Sequence, residues 1–221
     1  MNKRWATTER LTGVLAVLAW LSAVIVIEGF GDTGGNESTA EELLAYFQND
    51  ENSLYIGSVL FFLGSMLIIW FGSIVRGALF DARLDRLASI AFGSSVAVGV
   101  TSMGLLAPQI GGAFGANESE VPLTPEAAQA LWYAGDGFFV ATEFAAASLL
   151  VAVGLAALNS RVLPTWLGWL SLVVAVVLVI PPIGWAGLIF GLPVWILLVS
   201  FFLRHGDEVR AGDRGAARPA G

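Results

Sequence analysis

The sequence predicts an all-α, polytopic membrane protein of six transmembrane helices, and three observations predict it. The chain has 221 residues of which 56% are hydrophobic and only 13% charged, where a soluble domain carries about a quarter charged residues. Its apolar residues fall in runs near or above the roughly 18 residues that mark a membrane-crossing helix. The third observation is where the charges fall. With spans at about 11–30, 53–75, 87–107, 137–158, 165–182 and 184–203, all eleven Lys and Arg residues lie in one alternate set of segments. Lys3, Arg4 and Arg10 precede the first span, and Arg76, Arg83 and Arg86 lie between the second and third. Arg161 follows the fourth, and Arg204, Arg210, Arg214 and Arg218 follow the last. The positive-inside rule then makes both termini cytoplasmic, as an even number of spans requires. A multi-pass protein of the cell (plasma) membrane, of bacterial type, is the expectation, with the lipid bilayer as its first partner.

The N-terminal MNKRWATTER is basic and runs into an apolar stretch from Leu11 to Ile27. That stretch is longer than the apolar core of a cleaved signal peptide and lacks a good small-x-small site, so it reads as an uncleaved first helix closed by Glu28. The loop that follows is glycine-rich, and Ser38-Thr39-Ala40-Glu41 has the form of a capping box. Leu43, Leu44 and Phe47 recur at helical spacing, predicting a short outer amphipathic helix over about 39–48 on the membrane face or over the bundle.

The second span carries Gly57, Gly64 and Gly72 as notches for a neighbouring helix. The third is rich in small and hydroxyl residues, among them Ser94, Ser95, Thr101 and Ser102, and should be internal. Pro108 ends it, and an outer loop to Pro125 follows. Thr124-Pro125-Glu126 is a helix start: a side-chain cap, a proline where no N–H is needed, and an acid at the positive end of the dipole. A helix from Pro125 to Ser160 would be about 50 Å long against a bilayer core of about 30 Å, and Gly135 and Gly137 are where it should yield. Pro181-Pro182 marks a tight hairpin between the last two spans, Pro193 should distort the sixth, and 204–221 is a polar tail expected to be disordered.

Candidate chemistry centres on Glu143. A carboxylate at its depth costs about 2.5–3.5 kcal/mol on insertion scales and must be neutral, hydrated or partnered. Asp136 lies seven residues earlier on the same side of the helix. Glu28, Thr101 and Ser102 are placed to line the same outward vestibule, beneath loops whose acids attract cations. The expected site is therefore Glu143, Asp136, Glu28, Thr101 and Ser102, taking a proton or cation and linked to movement of a small substrate. The alternatives are a packed, hydroxyl-bonded Glu143, and a non-catalytic structural or regulatory subunit that binds a membrane protein partner or forms a homo-oligomer. Catalysis is not favoured. Cysteine is absent and His205 is the single histidine, which excludes thiol chemistry and multi-histidine metal sites, and no nucleophile elbow or HExxH occurs. No cofactor, metal or nucleic-acid partner is expected.

The stretch LPTWLGWLSL from Leu163 to Leu172, together with ERLTGVL, STAEELLAYFQNDEN and LTPEAAQAL, resembles small six-span integral membrane proteins of unknown function from bacteria. The resemblance covers nearly the whole chain. It implies a six-helix bundle and supplies no catalytic residue, substrate or cofactor.

Overall fold

The computed structural model describes residues 3–29 and 37–204, with side chains from 11 to 27 and from 37 onward. The side chain of Glu28, His205 and the tail expected to be disordered therefore lie outside the described residues. Among the described residues every regular element is helical: α1 (Lys3–Gly29), α2 (Ala40–Asn49), α3 (Glu51–Asp81), α4 (Asp85–Asn117), α5 (Pro125–Asn159), α6 (Thr165–Leu178) and α7 (Gly184–Phe202). Four of them, α3, α4, α5 and α7, are long and apolar enough to cross a membrane, where the sequence predicted six such spans. Two shorter apolar helical stretches occur as well among the described residues, Leu11–Ile27 within α1 and Thr165–Leu178. The proline pair after Val179 and Ile180 stops α6 early, because neither residue can donate to a further helical turn. Leu18, Ile25, Trp70, Phe144, Val173 and Phe201 are among many large apolar side chains exposed outward. A helix that is apolar all round suits lipid, and this is the architecture of a helical membrane protein.

The chain divides into two compact units. One comprises Met1–Val14, Ile68–Ala97 and Glu143–Gly221, and the other Leu15–Leu67 and Val98–Thr142.

In the second of these, α1 meets α3 along the predicted glycine notches. A Cβ at Gly64 would stand 3.1 Å from the Ala16 carbonyl, and one at Gly57 would strike Ile27. Trp20 stacks on Phe61 at 5.0 Å and donates its indole N–H to Ser65. The short α2 is amphipathic, with Glu41, Glu42, Ala45, Gln48 and Asn49 exposed and one face packed in this unit. Leu43, Tyr46 and Phe47 form a core with Leu54, Ala113 and Ala128, so its apolar face packs inside the unit. Its cap is set one residue later than the sequence reading: the Thr39 hydroxyl accepts from the Glu42 amide, and the Glu42 carboxylate accepts from the Thr39 amide. Asn117 Nδ2 donates to the carbonyls of Phe47 and Ala113, tying the end of α4 to α2.

The loop expected from Pro108 is helix as far as Asn117. Proline inside a helix costs about 3 kcal/mol in water. Here the following turns bury Gln109 and Ala113, and Gly112 admits the Phe47 ring, which outweighs the lost hydrogen bond. α5 likewise runs without interruption through Gly135 and Gly137. Gly135 is a close approach and not a break, since a Cβ there would lie 2.8 Å from the Leu105 carbonyl.

In the unit that holds α6 and α7, α5 buries Ala146, Leu149, Leu150, Val153, Ala156 and Ala157. α5 and α6 pack as antiparallel neighbours through facing glycines, a Cβ at Gly154 falling 3.0 Å from the Gly168 carbonyl. Trp195 is fully buried, edge-on to Phe71, and donates to Ser171 at 2.7 Å. Trp70 is 65% exposed, and Trp166, Trp169 and Trp185 are exposed as well. The distortion expected at Pro193 takes the form of a π-helical turn, Gly187–Gly191, in which the Leu192 amide bonds the Gly187 carbonyl.

The turn between α3 and α4 places Arg83 at φ 61°, the left-handed region. Arg83 N–H donates to Phe80 and Leu84 N–H to Leu79, a Schellman closure in which glycine is the usual residue. An arginine there costs about 1 kcal/mol in backbone energy. Arg83→Gly should therefore stabilise the protein against denaturant in detergent by about 1 kcal/mol. An unchanged or lowered midpoint would show that the Arg83 side chain contributes more than its backbone costs.

Candidate functional site

The five residues singled out in the sequence are not brought into one cluster within either unit. Glu143 belongs to the unit with α6 and α7, and Glu28, Thr101, Ser102 and Asp136 belong to the other.

Thr101 and Ser102 sit on consecutive positions of α4. Thr142 Oγ1 lies 2.9 Å from Thr101 Oγ1 and 2.8 Å from the Phe138 carbonyl. One hydroxyl proton cannot serve both oxygens at once. Thr142 therefore alternates between the Phe138 carbonyl and Thr101, and the Thr101 hydroxyl has the Val98 carbonyl at 3.4 Å as an acceptor of its own. The pair therefore ties α4 to α5 and is occupied in doing so. Ser102 is fully buried, and among the described residues its hydroxyl has no hydrogen-bond partner, as is also the case for Ser58 on α3. Asp136 is half-buried and makes no hydrogen bond or ion pair with the described residues.

Glu143 is the buried acid of the described structure. It is 6% exposed and makes no hydrogen bond or ion pair with any described residue. It begins the buried face of α5 that continues through Ala146, Ala147 and Leu150. What the sequence did not reveal is the residue against which it rests. A Cβ at Gly184 would stand 2.6 Å from Glu143 Oε1, 2.9 Å from its carboxyl carbon and 2.7 Å from the Leu178 carbonyl oxygen. Gly184 opens α7 immediately after the proline turn, and the space left by its missing side chain holds the carboxyl group. The signal that could have found it is the glycine itself: Pro-Pro-Ile-Gly puts the one residue without a Cβ where the hairpin re-enters the bundle.

Among the described residues no three His, Cys, Asp or Glu side chains group as a metal site. The arrangement is one lone carboxyl, enclosed by α5 and the hairpin, with backbone oxygen beside it. A lone carboxyl group is chemically able to bind a proton or a single small cation.

The glycine notch makes an energetic prediction. Gly184→Ala must displace both the carboxyl group and the Leu178 backbone, an overpacking that costs about 1–3 kcal/mol. Gly93→Ala, at a position with nothing within 4 Å of the added Cβ, should instead stabilise by up to about 1 kcal/mol through helix propensity. Unfolding of both variants in the same detergent provides the comparison, and equal effects would remove the packing role assigned to Gly184.

No protein-family model, curated protein or solved structure matches this chain, so the site rests on its own geometry.

Proposed function

We propose that this chain is a six-span bundle of the cell membrane with both termini cytoplasmic, and that it is a small transporter-like protein linked to a proton or cation. Its working group is the Glu143 carboxyl, reached from the outer side. One observation carries the reading: an acid nine-tenths buried in an apolar bundle with no described hydrogen-bond or ion-pair partner. Intramembrane acids are costly and are placed by default on ion or proton paths. The six spans comprise the four long helices with α1 and α6 added, and the restriction of Lys and Arg to alternate segments supports that topology. Asp136 and the acids of α2, Glu41 and Glu42, belong on the outer side in this scheme and concentrate cations there. The competing role as a partner-binding subunit loses its best docking element, since Leu43, Tyr46 and Phe47 are buried within the chain.

The absence of cysteine makes the topology directly testable. Single cysteines at Glu42 and Arg83 should react with a membrane-impermeant thiol reagent from opposite sides, the first in intact cells and the second only after lysis. Labelling of both from one side would overturn the topology.

For function, purified protein is reconstituted into vesicles containing a pH-sensitive dye and a proton or alkali-cation gradient is imposed. The native chain should dissipate the gradient, and Glu143→Gln should slow it at least about tenfold, as loss of an essential proton-transfer group does. Asp136→Asn should have the smaller effect. Equal rates for native and Glu143→Gln vesicles would refute the assignment.

A further inference from the structure

We infer that the Leu178 carbonyl is the built-in acceptor for a proton carried on Glu143, and that Pro181 and Pro182 exist at this turn to keep that carbonyl free. In a continuing helix the carbonyl of residue 178 accepts from the amide of residue 182, or in a tighter turn from residue 181. Both residues are proline and neither has an N–H. The surrounding turn closes without Leu178: the Val179 amide bonds Val176 and Val177, Ile180 bonds Val177, and Ile183 and Gly184 both bond Ile180. The unused carbonyl of Leu178 and the unpartnered Oε1 of Glu143 then border the same small space, each within 2.7 Å of the point a Gly184 Cβ would occupy.

Two oxygens with lone pairs and no donor between them repel, and the carbonyl also stands at the negative end of α6. A proton on the carboxyl group resolves both deficits, because Glu143 then donates O–H to the Leu178 carbonyl. A metal cation is the poorer occupant, since an alkali or divalent ion needs about six oxygen ligands, whereas a proton needs one acceptor and the Leu178 carbonyl provides it.

The surroundings leave Glu143 as the group that titrates here. From Thr165 to Phe202 neither α6, the turn nor α7 carries a titratable side chain. Ser94 of α4 pairs with Ser148 of α5, and Gly72 of α3 abuts Ser95. Asp85 and Arg86 on α4, and Arg76 and Asp81 on α3, therefore lie toward the Asn159 end of α5, away from Glu143. On α5 itself the nearest titratable group is Asp136.

This inference rests on the proposed role of Glu143, and its test is independent of transport. Infrared spectra of the full-length protein in vesicles are recorded across pH, and the protonated-carboxyl stretch absent from Glu143→Gln is assigned to Glu143. In the native chain that stretch should fall at the frequency of a hydrogen-bonded acid. Pro182→Ala restores an amide able to occupy the Leu178 carbonyl. It should shift the stretch toward the unbonded frequency and weaken proton binding about tenfold, the worth of one good hydrogen bond. Gly184→Ala, which fills the shared space without adding a donor, should shift it as well. A native spectrum with no Glu143 acid stretch, or one at the unbonded frequency, overturns the inference without any variant. So does an unchanged stretch in Pro182→Ala. Gradient dissipation that depends on Glu143, together with an unshifted Pro182→Ala spectrum, would leave the transporter reading standing while removing this one. A shifted spectrum in a protein that dissipates no gradient would do the reverse.

Discussion

The fold depends on closing the polar groups inside the apolar bundle on one another, with few exceptions. Backbone groups are closed by the helices themselves, the general solution in hydrocarbon surroundings. Side-chain hydroxyls on these helices are closed by folding back onto the preceding turn: Ser65, Ser95, Thr142, Ser171 and Ser200 each donate to the carbonyl four residues earlier. Two buried tryptophans use this arrangement twice over. Trp20 donates to Ser65, and Trp195 to Ser171, so each indole N–H ends in a helical carbonyl through one serine. A buried N–H left unpaired would cost about 1–3 kcal/mol, which is why a large apolar ring with one polar atom is placed opposite a serine and not an alanine.

Against that background the exceptions stand out. Glu143 closes onto nothing among the described residues, and Ser102 and Ser58 are buried hydroxyls without partners. The carboxyl is the costliest of the three to leave open, and it is also the one beside an orphaned backbone oxygen. The turn that creates the orphan is built from the two residues that cannot donate, followed two positions later by the residue that has no side chain. Each choice is locally unfavourable for a helix, and together they make room for an acid. That coincidence of proline, proline and glycine at one carboxyl supports function over packing.

Charge overrides local backbone preference elsewhere as well. At Arg83 the left-handed closure of α3 would be cheaper with glycine, yet the turn carries a cation. In a soluble hairpin this would have no obvious gain. Under the proposed topology, which a few basic residues between apolar helices set, the charge of this turn offsets the roughly 1 kcal/mol of backbone energy it costs.

Much of this was legible in the residues. Apolar runs and sparse charge determined the helical membrane class. Thr124-Pro125 marked the start of α5, where the Ala127 amide does bond the Thr124 hydroxyl, and Gly57 and Gly64 marked a close helix neighbour. Local rules failed where packing could overrule them. Pro108 read as an end, but Gln109, Ala113 and Gly112 gain enough by burial to carry the helix past it, and of the two placements open to the amphipathic α2, on the membrane face or over the bundle, Tyr46 and Phe47 take the packed one. Depth along a helix follows from counting residues, so Glu143 could be suspected from the sequence. What faces it could not, because Gly184 and Leu178 are more than thirty residues away in the chain and only the folded hairpin brings their backbone to the carboxyl group.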